Sequence, residues 1–300
     1  VSTGRLHTLA VGSAGPRVAF LHGLFGQGRN WTQVAKALAG PEGEGARCLL
    51  VDLPDHGRSP WSEEFSYEGY ADAVAATLAD EAPGERWVVV GHSLGGKVAM
   101  VLTLTHPDLV GSLVVVDIAP KDYGDLDRFT GYIEQMRSLP LEELTSRADA
   151  EARFAEPDPG VKAFLLQNLR RHGTQWSWQA NLELIHADAA RGSDSRIAAF
   201  PDLGGRAWDG PVVWLAGSES GYVGDDDVTD MRALFPRTRL VRVNGAAHWV
   251  HTDAPRWSSR PSAGSCAVCP QARAREPRAA SYRRRPRAAA AAAPSAPSRR

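Results

Sequence analysis

The stretch Trp87-Val88-Val89-Val90-Gly91-His92-Ser93-Leu94-Gly95-Gly96-Lys97 decides the fold. Its first four residues are aromatic or β-branched, the composition of a buried strand. Leu94 to Thr105 reads as a helix stopped by Pro107. Between the two, Gly91-His92-Ser93-Leu94-Gly95 has the form G-x-S-x-G. A strand can pass into a helix over so few residues only through a sharp turn. The serine at its tip must adopt strained backbone angles, and small residues two places to either side let neighbouring backbone approach. Ser93 is thereby presented at the end of the strand. The amide of Leu94, at a helix start, faces any oxyanion that develops there. This is the local structure of a serine nucleophile.

Working outward, Val18 to Leu21 is a short apolar run entering His22-Gly23, and Cys48 to Val51 is another, ending in Asp52-Leu53-Pro54. Leu113–Val116, Val212–Leu215 and Leu240–Val243 read as further strands. Tyr67 to Glu81 has helical spacing and stops before Pro83-Gly84, and Met231 to Phe235 closes a helix before Pro236. Continuous apolar strands alternating with helices specify an α/β fold: a mostly parallel sheet covered on both faces. Residues 121–205 break the rhythm with helical stretches, among them Leu126 to Ser138 and Val161 to His172, and show no clear buried strand. An insertion between two sheet strands is expected to sit over the strand ends as a lid. The expected division is a core in two parts, 1–120 and 206–256, a helical lid at 121–205, and a tail at 257–300.

The 300 residues are 43% hydrophobic and 23% charged, which excludes collagen, a coiled coil and a wholly disordered chain. No apolar run approaches the ~20 residues of a membrane span. Val1 to Val11 lacks a basic segment followed by an apolar one, so no secretory signal is expected. Three cysteines make no disulfide framework, and the expected location is cytoplasmic. The near-neutral net charge of −1 conceals a division, because residues 257–300 carry ten arginines against a single acid, Glu276. That segment holds too little apolar surface to offset the entropy of ordering it. Arg283, Arg284 and Arg285 accompany no folded nucleic-acid module, and none is expected to bind. Cys266 and Cys269 form a lone C-x-x-C without the second pair a zinc site needs.

A serine nucleophile needs a base, and the base an orienting acid. His248 lies in Asn244-Gly245-Ala246-Ala247-His248-Trp249, just past the last strand. His7 and His106 have ordinary surroundings, His172 and His186 fall in the insertion, and His251 is expected to point elsewhere on its loop.

His22-Gly23-Leu24-Phe25-Gly26, Asp55-His56-Gly57-Arg58-Ser59, the Ser93 turn and Gly245-Ala246-Ala247-His248-Trp249 together resemble the α/β-hydrolase superfamily. Val116-Asp117-Ile118-Ala119-Pro120 followed by Tyr123, with Gly28-Arg29-Asn30-Trp31, resembles more narrowly the small esterase and acyl-thioesterase family typified by bacterial YbfF and abhydrolase-domain-containing protein 11. The likeness runs from about residue 5 to residue 256.

The resemblance implies Ser93 as nucleophile and His248 as general base. It implies an oxyanion hole from the amides of Leu94 and of Leu24 or Phe25. Many members carry the acid after the strand matching Val212–Leu215, but Ser220 stands where that aspartate is expected. Asp117, a position other members use, is favoured over the cluster Asp225-Asp226-Asp227. Lys97 reads as a solvated helix lysine without a catalytic role, and His22, His56 and Arg58 as residues that order their loops.

The expected activity is that of a serine esterase or thioesterase, taking a small-molecule ester or acyl thioester, with no cofactor or metal. The alternatives are C–C bond hydrolysis or cofactor-free perhydrolysis on the same fold, or a ligand-binding protein without turnover. One departure is expected to matter. The family continues past His248 with an amphipathic helix, where Ala254-Pro255-Arg256-Trp257 leads here into the basic tail.

Overall fold

The computed structural model describes residues 4–253, except residues 42, 44 and 125. The tail from residue 257, with Cys266 and Cys269, and most of the helix expected past His248 lie outside the described residues.

Seven strands form one sheet: β1 (Thr8–Val11), β2 (Arg17–Leu21), β3 (Arg47–Val51), β4 (Trp87–His92), β5 (Val110–Val116), β8 (Val212–Gly217) and β9 (Thr238–Val243). Their spatial order is β1-β3-β2-β4-β5-β8-β9. Every neighbouring pair is parallel except β1, which runs antiparallel to β3 at the edge. The fold is thus α/β, as the apolar runs imply. The half-exposed β1 escapes the sequence reading because an edge strand carries no buried run.

Alternation along the strands builds a core on each face. Val18 and Phe20 of β2 pack with Trp31, Val34 and Leu38, the last two on α1 (Thr32–Ala39). Ala19 and Leu21 pack on the opposite face with α2 (Tyr67–Glu81) and α3 (Leu94–Thr105). Ser66 caps α2 by accepting from the Gly69 amide at 3.0 Å. The helix α3 is buried on all sides from Leu94 to Leu104, which suits a sequence that is apolar all round apart from Lys97 and Thr103.

Between β5 and β8 the chain forms α4 (Asp127–Ser138), α5 (Arg147–Arg153), α6 (Pro159–Leu166), the hairpin β6 (Leu169–His172) and β7 (Gln175–Trp178), and α7 (Leu182–Ala189). The reading of Val161–His172 as one helix fails after Leu166. Leu169 pairs with Trp178 and His172 with Gln175, and Gly173 supplies the positive φ of +62° that the turn requires. The helices α8 (Val228–Leu234) and α9 (Val250–Asp253) flank β9. No helix among the described residues is long and apolar enough to cross a membrane.

Candidate active site

Ser93 is the single residue between β4 and α3, with φ 52° and ψ −120°. A non-glycine residue in that region is strained and must be held by its surroundings. Its amide donates to the Val116 carbonyl at 3.0 Å, tying the turn to β5. The glycines around it are steric necessities. A Cβ at Gly91 would lie 2.2 Å from the Gly95 carbonyl oxygen, and one at Gly95 would lie 2.4 Å from that of His22. At Gly96 it would meet the Ile118 side chain at 2.5 Å.

Asp117 directly follows β5, also with φ 52°, and is fully buried. Its Oδ1 accepts from the Gly217 amide at 2.9 Å. Its Oδ2 accepts from Ser220 Oγ at 2.5 Å and is 2.8 Å from His248 Nδ1. A carboxylate accepts, so Nδ1 is the donor, and in the neutral imidazole Nε2 then presents a lone pair. The base is held from its other sides too. His92 Nε2 donates to the His248 carbonyl at 2.8 Å, and the Tyr222 ring stacks on the imidazole at 3.9 Å between centroids. Tyr123 accepts from the Ala119 amide at 2.8 Å and donates to the Tyr222 carbonyl at 2.6 Å, bridging the two loops. Burial, reinforced by His248 and His251 nearby, pushes the His92 pKa well down, so that ring remains neutral.

The loop after β2 closes as a turn in which the Gly26 amide donates to the Gly23 carbonyl at 2.9 Å, with Phe25 at φ 60°. The Leu53 amide donates to His22 Nε2 at 3.0 Å, which makes Nδ1 the donor to the Gly23 carbonyl at 2.8 Å. Burial lowers the His22 pKa to about 3, consistent with a neutral structural ring. The amides of Leu24, Phe25 and Leu94 enter no hydrogen bond among the described residues. They remain available to a ligand.

Ser93 stands at the junction of two cavities. One, of about 420 Å³, is bounded by Leu24, Phe25, His248 and Trp249 from the core and by Phe129 and Phe164 from α4 and α6. The other, of about 290 Å³, shares Leu24, Phe129 and Tyr222 and runs on to Lys97. No hydrogen bond between Ser93 and His248 is made among the described residues, although both line the larger cavity. Such bonds are often long in unliganded enzymes and tighten with substrate. No group of three histidines, cysteines, aspartates or glutamates there is arranged to hold a metal.

Comparison with known proteins agrees with this geometry. The α/β-hydrolase fold family matches residues 16–139. The sn-1-specific diacylglycerol lipase ABHD11 of Mus musculus is 36% identical over 248 residues, covering 80% of this chain and 77% of its own. The chain belongs to the α/β-hydrolase esterase family. Esterase YbfF of Escherichia coli is 29% identical over 79% of this hydrolase and 88% of its own length. A marine microorganism esterase of known structure superposes with a TM-score of 0.76 at 29% identity, over 84% of this chain and 95% of that one.

Within this α/β-hydrolase, several sequence expectations meet their surroundings. Asp117 stands beside His248, whereas Asp225 pairs with Arg242 at 2.6 Å and Asp227 with Lys121 at 2.9 Å. His251 was expected to point elsewhere, yet it lines the same cavity as His248, its ring stacked on Trp31 at 4.6 Å. Lys97 was expected to be solvated and is only 2% exposed. Arg58 orders its loop through its amide, which donates to Asp52 Oδ2 at 2.9 Å, and not through its exposed guanidinium.

Sequence reasoning missed the buried polar hubs of this hydrolase. Asp52 also accepts from the Gly28 amide, while Asp55 accepts from Tyr70 and from Asn181 of the insertion. Asn168, fully buried, donates to the Phe25 carbonyl at 2.8 Å and accepts from Gln27 Nε2 at 3.1 Å. Only Asp52, between Val51 and Leu53, carries a sequence signal of burial, because Asp55 and Asn168 have polar neighbours in His56 and Gln167.

Proposed function

We propose that this protein is a cytoplasmic serine hydrolase that cleaves carboxylic esters or acyl thioesters through an acyl-enzyme. The observation that carries the reading is the Asp117–His248 hydrogen bond beside a cavity that Ser93 shares. In this reading Ser93 Oγ attacks the acyl carbonyl while His248 Nε2 takes its proton. The amide of Leu94, with that of Leu24 or Phe25, holds the tetrahedral oxyanion. The C–O or C–S bond breaks as His248 returns the proton to the leaving alcohol or thiol. Water, deprotonated by His248, then attacks the acyl-serine and releases the acid and free Ser93. The chemistry calls on no cofactor.

Residues 121–205 act as a lid over the core formed by 1–120 and 206–256. Phe129 and Phe164 supply its apolar wall above the serine. The mouse relative's name places glycerol esters in the first substrate panel.

Labelling with a fluorophosphonate probe tests the reading. Wild type is expected to label, and Ser93→Ala and His248→Ala are expected to lose the signal. A folded wild type that does not label refutes an activated serine.

A further inference from the structure

Lys97 lies one helical turn after Ser93 on α3, and its side chain reaches the smaller cavity. Its Nζ donates to the carbonyls of Ala198, at 2.5 Å, and Ala199, at 2.7 Å. The rings of Tyr123 and Tyr67 stand 4.9 and 5.6 Å from it. Among the described residues it forms no ion pair. An ammonium has three N–H groups, and two are committed. A buried charge without a counter-ion is costly, and a methionine would fill the same volume without that cost. Leu94, Ile118, Leu126 and Ile197 give the cavity an apolar stretch of wall.

We propose that the smaller cavity is an acyl subsite selecting acyl groups that end in a carboxylate, with Lys97 Nζ as the anchor that receives it. The preferred substrates are half-esters or half-thioesters of short dicarboxylic acids. The substrate supplies the counter-charge that the protein lacks, and the apolar wall accommodates the methylenes between the two carbonyl groups. The inference rests on Ser93 as the nucleophile of the preceding section and adds a class of acyl group to it.

Burial lowers the Lys97 pKa to about 7, with the charge of Asp122 acting against the shift. Tyr67 from α2 and Tyr123 after β5 face the amine, and burial pushes both phenols upward in pKa, so they stay neutral through this range. Selection for the anionic group is therefore expected to be strong near pH 6 and to fade toward pH 9, while the substrate carboxylate stays ionised throughout.

Binding to Ser93→Ala separates this inference from turnover. Calorimetry with monomethyl succinate, glutarate and adipate is compared with the matching dimethyl esters. The expected result is at least tenfold tighter binding of one half-ester than of its diester at pH 6. That ratio should fall toward one at pH 9, and in Ser93→Ala/Lys97→Met at either pH. Equal binding of half-ester and diester across the series would overturn the proposal. So would a Lys97→Met change that weakens both alike and leaves the ratio intact, since that is the mark of a structural strut. A sound binding result alongside a wild type that fails to label with fluorophosphonate would instead fault the hydrolase reading alone.

Discussion

At Asp117 three donors converge on one buried carboxylate: the Gly217 amide, Ser220 Oγ and His248 Nδ1. Replacing it with asparagine keeps the shape but gives His248 a partner that can impose the wrong tautomer. We expect Asp117→Asn to lower kcat by roughly 10³–10⁴-fold. Asp225→Asn and Asp227→Asn, whose carboxylates face Arg242 and Lys121, should each remain within about threefold of wild type. Steady-state hydrolysis of a p-nitrophenyl ester measures all three, and a larger loss at either cluster position would overturn the assignment. Ser220 replaces the acid expected after β8 and instead donates to the acid after β5. A hydrogen bond to a charged group contributes about 1.5–3 kcal/mol, so Ser220→Ala should reduce kcat by about tenfold or more, with KM little changed. At this scale the sequence points to Ser93, because a strained turn needs glycines at set spacings, and to His248 by its place just past the last strand. It leaves the acid open because two carboxylate positions remote in sequence satisfy the same pattern.

Among the elements, the insertion and the loop before α1 are joined through Asn168. This side chain sits between α6 and β6 and bonds to both Phe25 and Gln27. Gln167 adds contacts to Arg29 and Asn30 at 2.9 Å each. Removing the Asn168 amide leaves the Phe25 carbonyl with only the long 3.4 Å bond from Gln167 Nε2 and Gln27 Nε2 with only the 3.3 Å bond to the Gln167 carbonyl, at a cost of about 1–3 kcal/mol. Asn168→Ala is expected to lower Tm by several degrees, at about 2–4 °C per kcal/mol for a chain of this size, and to slow fluorophosphonate labelling. An unchanged labelling rate would show that the loop holds its oxyanion amides without the insertion. Most sheet strands and the helices α2, α3 and α4 were legible from apolar runs and periodicity. The hairpin β6–β7 was not, because its pairing is set by a turn and by Trp178 opposite Leu169, a feature without helical or apolar-run signature.

At the scale of the whole molecule, three histidines among the described residues are buried in the neutral form, and a fourth, His251, is half-buried with its ring against Trp31. Burial lowers His22 to about 3 and His251 to about 4, and pushes His56 and His92 downward as well. In the unfolded chain each returns to about 6.5. Below that pH the unfolded state takes up protons that the native state refuses, so stability falls as pH drops. The loss begins near pH 6.5, grows through pH 4, and is complete for His22 only near pH 3. Thermal melts from pH 7.5 to 4 should show Tm falling steadily below about pH 6.5. His251→Phe should flatten part of that slope, and a Tm independent of pH down to 4 would contradict neutral burial.

Sequence alone determined the alternation of strands and helices, the turn that presents Ser93, and the order in which serine precedes histidine. These follow from local sterics and from solvent exclusion averaged over a few residues. Tertiary structure alone decided which carboxylate meets His248, where the Lys97 amine comes to rest, and that His251 turns toward the cavity. Each of these depends on contacts between residues far apart in the chain, and a side chain's environment there is set by what packs on it.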